Sequence, residues 1–377
     1  MFHIANGHIE SRYDEATGGW TPLTFVSNPL LSVHGLASAL NYGQQIFEGL
    51  KAFRMPPGDA GSDSIALFRP DCHGKRFRHS AEVVDMPPIP ADMFQQACRA
   101  AVALNACFVP PHKTGWGMYL RPLLFASGPS LVPHLTHGWI FCIYVAPLPF
   151  GALDGMPPVK ALILDDFDRA APRGTGHAKT GGNYAGSIPW IMQAKTAGFD
   201  LTLHLDCVNR EEIEEFSASG FLAVRKTGTS ADSDITLVVP DSPTVLPSLT
   251  SDSVQQIARA LGWVVEKRRV CYEELPYFDE VMSAGTGTGL VPVRSITRRV
   301  SSLLTSKTPN DDTTGRLHVG SDGSETIQYI QDEQVHGGPL YRQLVAQLGG
   351  VQVGKLEDKF GWRCEVLAED AHVTFKR

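Results

Sequence analysis

One lysine stands inside a glycine-rich run, Arg169-Ala170-Ala171-Pro172-Arg173-Gly174-Thr175-Gly176-His177-Ala178-Lys179-Thr180-Gly181-Gly182-Asn183-Tyr184. An apolar, β-branched stretch from Val159 to Leu164 precedes the run and reads as a strand. The residues that follow, through Trp190 and Ile191 to Ala197, read as a helix. Three chemistries compete for such a run. A phosphate loop needs glycine immediately before the lysine and another five residues earlier. Ala178 and Arg173 occupy those positions, so that reading fails. A solvated Gly-Lys turn is the commonest fate of such a stretch. A Schiff-base lysine needs burial and neighbours that lower its pKa, so that the amine is a nucleophile. Glycines on both sides would let backbone and cofactor approach closely. Spacing alone favours the solvated turn.

The chain has 377 residues, room for two domains. Its densest proline and glycine cluster, Pro147, Pro149, Gly151, Gly155, Pro157 and Pro158, reads as the linker between them. The expectation is a smaller α/β domain over 1–149, a linker over 150–158 and a larger domain over 159–377. Helices are expected over His73–Val84, Asp92–Phe108, Ser251–Leu261 and Leu340–Leu348. Strands are expected at Trp116–Phe125, Trp139–Val145, Leu201–Leu205, Phe221–Val224, Ile235–Val239 and Glu280–Ala284. The polar residues 301–338 read as a long mobile insertion.

A net charge of -7 argues against nucleic acid or an anionic membrane as the main partner. No apolar run is long enough to cross a bilayer. The seven cysteines are scattered without a Cys-x-x-Cys, which suits reduced thiols, and no Cys/His cluster has metal spacing. Met1-Phe2-His3-Ile4-Ala5-Asn6-Gly7 lacks a basic segment leading into an apolar core. The expectation is a cytoplasmic protein without a metal.

The central run resembles the lysine motif of the branched-chain aminotransferases, pyridoxal 5'-phosphate enzymes of fold type IV. The pattern shared is Arg-Ala, Gly-Thr-Gly, Lys, then Gly-Gly-Asn-Tyr. The resemblance implies a mixed α/β, two-domain fold with the active site between the domains, and a homodimer. It makes Lys179 the residue that holds the cofactor and moves a proton, with Tyr184 a further cofactor contact. Four demands follow from the cofactor's chemistry: the lysine, a carboxylate for the ring nitrogen, an anion cradle for the phosphate, and donors for the substrate carboxylate.

Further stretches resemble the family in the expected order. In Glu211-Glu212-Ile213-Glu214-Glu215-Phe216-Ser217-Ala218-Ser219-Gly220 the pattern places Glu215 at the ring nitrogen, with Glu214 as the alternative. Ala218 and Gly220 depart from the family there. The helix His73-Gly74-Lys75-Arg76-Phe77-Arg78-His79-Ser80-Ala81 is similar to one that sends an arginine, here Arg76, to the phosphate. Leu249 and Thr250 open a helix, and a helix N-terminus is itself an anion site; the family binds phosphate there. The loop Ala284-Gly285-Thr286-Gly287-Thr288-Gly289 tempts a dinucleotide reading, but Pro292 and a β-rich run follow instead of a helix. It resembles the family's Gly-Thr-Ala loop with Gly287 for Ala. This implies phosphate at the Thr286 hydroxyl, and substrate carboxylate at the N–H groups of Thr286 and Gly287.

Met118-Tyr119-Leu120-Arg121-Pro122 resembles the family's Tyr-x-Arg-Pro signature. Strand periodicity puts Tyr119 and Arg121 on one face. Read alone, Arg121 could equally be a cross-strand ion pair. The resemblance makes Tyr119 a donor to the substrate α-carboxylate and Arg121 part of glutamate recognition. It sets Tyr42 and Phe47 in the side-chain pocket, and makes Leu131 a residue delivered by the partner subunit. The implied reaction moves an amino group between a branched-chain or apolar L-amino acid and 2-oxoglutarate. Another outcome in a biosynthetic pathway (racemase, lyase, or transaminase on an unusual amino acid) and a catalytically inactive binding protein are the competing readings.

Overall fold

The computed structural model describes residues 5–57, 64–133, 137–148, 153, 155–228, 234–299 and 314–376. The chain divides into two compact units, one of residues 1–153, 178–182 and 349–377, the other of 154–177 and 183–348. The division is not contiguous, as a single linker would suggest. Strand pairing explains why. Thr180 bridges Ile46, Arg363–Val366 pairs with Ile65–Phe68, and Thr374–Lys376 pairs with Thr24–Val26, so these late segments are held by early strands.

The first unit is built on a ten-stranded sheet. Its central run is Ile65–Phe68, Leu50–Arg54, Gly117–Ala126, Trp139–Leu148 and His8–Asp14, every neighbour antiparallel. Gln45–Phe47 adds to the Gly117–Ala126 strand. Alternation sorts that long strand: Met118, Leu120 and Leu124 are buried in the apolar core, whereas Tyr119 and Arg121 are half-buried. The helices Pro70–Val83 and Ala91–Ala103 contribute Phe77 and Phe94 to the same core. Phe77 lies 5.3 Å from Phe94 and 5.8 Å from Phe141 of the sheet, ring centre to ring centre. The second helix is shorter than its apolar stripe implies. Asn105 turns back to Ala101 O and accepts the Asn6 N–H, and only a short 3₁₀ turn, Ala106–Phe108, follows.

In the second unit the strand pairings close on themselves. Ser219–Lys226 pairs with Ile213–Phe216, that with Leu201–Leu205, then Val159–Ile163, Gly289–Arg299 and Glu280–Gly285, which pairs back onto Ser219–Lys226. Leu203, Phe216, Phe221, Val293 and Ile296 fill its apolar interior. The helix Leu249–Ala260 packs against this sheet, capped by Ser248, whose Oγ accepts the Ser251 N–H.

The expected insertion over 301–338 needs correction. Residues 301–313 lie outside the described residues, but Leu317–Val319 and Ser324–Gln328 form a hairpin that extends the sheet from Gly289–Arg299. Its polar composition hid two short alternating strands, and Glu325 is buried there as acceptor of the Tyr272 hydroxyl at 2.8 Å.

Candidate active site

Lys179 is reached through backbone bonds on both sides. Its N–H donates to Ser80 Oγ at 2.9 Å, and its carbonyl accepts the Phe47 N–H at 3.1 Å. The Lys179 ammonium lies 4.7 Å from the Phe47 ring centre, and the Arg121 guanidinium lies 5.0 Å from the same ring. Burial, then the Arg76 charge, lower the Lys179 pKa to about 8, with Arg121 acting in the same direction and Glu48 and Tyr119 opposing. The solvated-turn reading therefore fails, and the amine is poised as a nucleophile near neutrality. The rate at which the cofactor-free protein captures pyridoxal 5'-phosphate should accordingly rise with pH and level off above about 8. A rapid-mixing pH series that levels only near the ordinary lysine value of about 10.4 would contradict this.

Arg121 Nη2 donates to the Tyr119 hydroxyl at 3.1 Å. Its Nε is buried with no hydrogen-bond partner, and no carboxylate pairs with it among the described residues. The cross-strand ion pair is thus excluded within those residues. The Tyr119 phenol rests on Gly49, where any Cβ would lie 1.8 Å from the hydroxyl. Glycine is required here for close approach.

Arg76 faces Glu48, a residue to which the sequence reading gave no role. Arg76 Nε and Nη2 donate to the two carboxylate oxygens at 2.6 and 3.0 Å, and His73 Nδ1 lies 2.5 Å from Oε2. Burial would raise the Glu48 pKa, but Arg76 and His73 overcome it and hold the group well below the usual carboxylate range. A lone carboxylate between Phe47 and Gly49, in an apolar strand region, was the available signal.

Tyr42 and Leu131 are brought to each other: the Tyr42 hydroxyl donates to Leu131 O at 2.6 Å, and both side chains are exposed. Among the described residues, neither is hydrogen-bonded to Phe47, Lys179, Tyr119 or Arg121.

In the second unit Glu215 is buried and pairs with Arg169, and its Oε1 also accepts the Leu246 N–H at 3.0 Å. Burial outweighs Arg169 and raises the Glu215 pKa to about 7. Both bonds go to Oε1, so Oε2 is uncommitted among the described residues. Glu214 is likewise bonded through Oε1 alone, but to the hydroxyls of Ser242, at 3.0 Å, and Thr244 rather than to an arginine. Glu215, Gly220, Ser248 and Leu249 all line a cavity of about 340 Å³. A Cβ at Gly220 would sit 3.1 Å from Ser248 Cβ, a tight approach beside the helix cap.

Thr250 stands in the first turn of the capped helix. Thr286 and Gly287 form the turn between Glu280–Gly285 and Gly289–Arg299. Space over Gly287 is open to 4 Å, so the missing methyl of the family's Ala is not a packing demand. Tyr184 lies in the short helix Gly182–Ala185, and Asn183 ties that segment to Thr175 through two hydrogen bonds.

These residues fit pyridoxal phosphate. The first unit supplies an amine of lowered pKa at Lys179, and the second a buried carboxylate with one oxygen uncommitted beside a capped helix end.

The class IV amino-transferase family model matches residues 45–296. The chain is 45% identical over 370 residues to a transaminase, htyB, of Aspergillus rugulosus, covering 96% of this chain and 89% of that protein. It is 48% identical over 295 residues to the branched-chain amino acid aminotransferase gloG of Glarea lozoyensis, covering 78% and 80%. The Escherichia coli branched-chain amino acid aminotransferase superposes with a TM-score of 0.71 at 24% identity, covering 96% of this chain and all of that one, and shares the fold. The chain belongs to the class IV aminotransferases, fold type IV enzymes that use pyridoxal 5'-phosphate. Its reaction is transamination between amino and oxo acids.

Proposed function

We propose that the enzyme moves the amino group between a branched-chain or apolar L-amino acid and 2-oxoglutarate. The observation that carries this reading is the Arg121 guanidinium, held beside Tyr119 and Lys179 without a carboxylate partner among the described residues. A partly buried cation of this kind is costly unless an anion reaches it. The distal carboxylate of glutamate or 2-oxoglutarate is such an anion, and an apolar amino acid lacks it. Phe47, beneath both cations, is the apolar wall for a hydrocarbon side chain.

Bound pyridoxal phosphate supplies the electron sink that allows the substrate Cα proton to leave. Lys179 would hold the cofactor through its amine and would take and return that proton. Glu215 would hold the ring nitrogen through Oε2, and Tyr184 would be a further contact of the ring. The resemblance gives the phosphate to Arg76, to Leu249 and Thr250 at the helix start, and to the Thr286 hydroxyl. Tyr119 and the N–H groups of Thr286 and Gly287 hold the α-carboxylate. Tyr42 serves the side-chain pocket. Leu131 belongs with a second copy of the chain: Leu30, Leu40 and Leu131 are 75%, 65% and 73% exposed, and a homodimer would cover them. Seven free thiols accord with a cytoplasmic location.

Arg121→Met should weaken the glutamate half-reaction about ten- to hundred-fold, the loss of one charged hydrogen bond of roughly 1.5–3 kcal/mol. The leucine half-reaction should change little. Tyr119→Phe should slow both alike, because both substrates carry an α-carboxylate. Stopped-flow rates for each half-reaction separate the cases, and equal losses for Arg121→Met would remove the case for a dicarboxylate partner.

A further inference from the structure

We propose that Arg169 is the positioning residue for Glu215: it pins one oxygen of that carboxylate and keeps the group charged, so that the other oxygen can hold a protonated ring nitrogen. This rests on the reading of Glu215 as the partner of the cofactor's ring nitrogen.

The clamp is built from a single nitrogen. Arg169 Nη2 donates to Glu215 Oε1 and to Gly176 O, the second at 3.1 Å. That nitrogen carries two N–H groups, and these two acceptors use both. It cannot turn to Oε2 without breaking one of the bonds. The Leu246 N–H reaches Oε1 as well, at 3.0 Å, so donors from two separate loops converge on the same oxygen. Glycine makes the return of the chain possible. A Cβ at Gly176 would collide with Ala170 Cβ and lie 2.6 Å from Thr244 O, so a larger residue would push the Gly176 carbonyl away from the guanidinium. The Glu215 backbone is fixed by the sheet, where it stands opposite His204 on one side and Gly220 on the other.

Charge supplies the second half of the argument. The two side chains are only 5% and 6% exposed. Burial favours a neutral Glu215, and the neighbouring Glu214 carboxylate pushes the same way. Arg169 opposes both, and its charge acts on Glu214 too. His204 offers no help, because burial and then the Arg169 charge lower its pKa to about 3 and leave it neutral. Without Arg169 the proton would move from the ring nitrogen to the carboxylate oxygen. An arginine that only stapled the 169–176 segment would not decide where that proton sits, and the test turns on that difference.

Holoenzyme is loaded with pyridoxal 5'-phosphate isotope-labelled at the ring nitrogen, and the nitrogen resonance is read at neutral pH. Wild type should show a protonated ring nitrogen and Glu215→Gln an unprotonated one. Arg169→Met keeps the bulk and removes the charge. It should move the resonance the same way, and slow Cα proton removal about ten- to hundred-fold, as loss of a charged hydrogen bond does. The double variant should match Glu215→Gln alone. Arg169→Lys keeps the charge but not the planar fork, so its resonance should fall between wild type and Arg169→Met. It serves as the test variant if Arg169→Met does not fold. A wild-type resonance in the Arg169 variants, with Glu215→Gln shifted, overturns the proposal and leaves Glu215 at the ring nitrogen. A wild-type resonance in Glu215→Gln overturns that assignment and the proposal together.

Discussion

Lys179→Ala is expected to abolish amino transfer while the first unit stays folded. Two bonds made by its backbone, to Ser80 Oγ and from the Phe47 N–H, help to seat the residue, and alanine keeps both. What is lost is the amine, with its lowered pKa, and its contact with the Phe47 ring. A positioned proton-transfer group contributes on the order of 10²–10⁴ in rate, and this one also anchors the cofactor. Turnover should therefore fall by about 10⁴-fold or more, with a circular dichroism spectrum like wild type. Borohydride treatment and peptide mapping provide the decisive control. A cofactor fixed to another lysine in the variant would show that Lys179 is not the anchor.

Glu215→Gln is the second large effect expected, and it separates two neighbouring carboxylates. The Glu215 carboxylate has an uncommitted oxygen and a pKa raised to about 7 by burial, so it can share a proton with a ring nitrogen. An amide cannot hold that proton. Each pKa unit of lost preference is about 1.4 kcal/mol, tenfold in a barrier. A loss of two to three units slows Cα proton removal by about 100- to 1,000-fold. The cofactor should stay bound, because Lys179 and the phosphate contacts are untouched. Glu214→Gln is the comparison, since its Oε1 accepts the Ser242 and Thr244 hydroxyls and it is Glu215, not Glu214, that pairs with Arg169. Single-turnover loss of the α-deuterium label from leucine measures the step. Damage at Glu214 with a mild effect at Glu215 would move the assignment by one residue.

Periodic segments were legible because one face of each meets a core. The Gly117–Ala126 strand shows this: the alternation that buries Met118, Leu120 and Leu124 also presents Tyr119 and Arg121 together. The family resemblance singled out Lys179, Arg76 and Glu215, whereas spacing alone favoured a solvated turn at the lysine. What stayed hidden were partners distant in sequence. Glu48 and His73 were plain in the sequence, but nothing local says that their side chains meet at one guanidinium. Arg169 stood in the first motif noticed, yet its pairing with Glu215 depends on two separate strands and a loop. The Leu317–Val319 and Ser324–Gln328 hairpin escaped because its strands are short and its outer positions polar.

The closed ring of strands in the second unit has a consequence for synthesis. Closure requires Phe221 to find Ser283, and Val159 to find Val293 far along the chain. Such distant pairings form slowly, since the entropy of closing the intervening loops is lost before the contacts repay it. Until Glu280–Gly285 emerges from the ribosome, Ser219–Lys226 has an open edge where another chain could add. The strand that covers this edge is thus also the one whose delay exposes the nascent enzyme to aggregation, and slow expression in the cold favours soluble product.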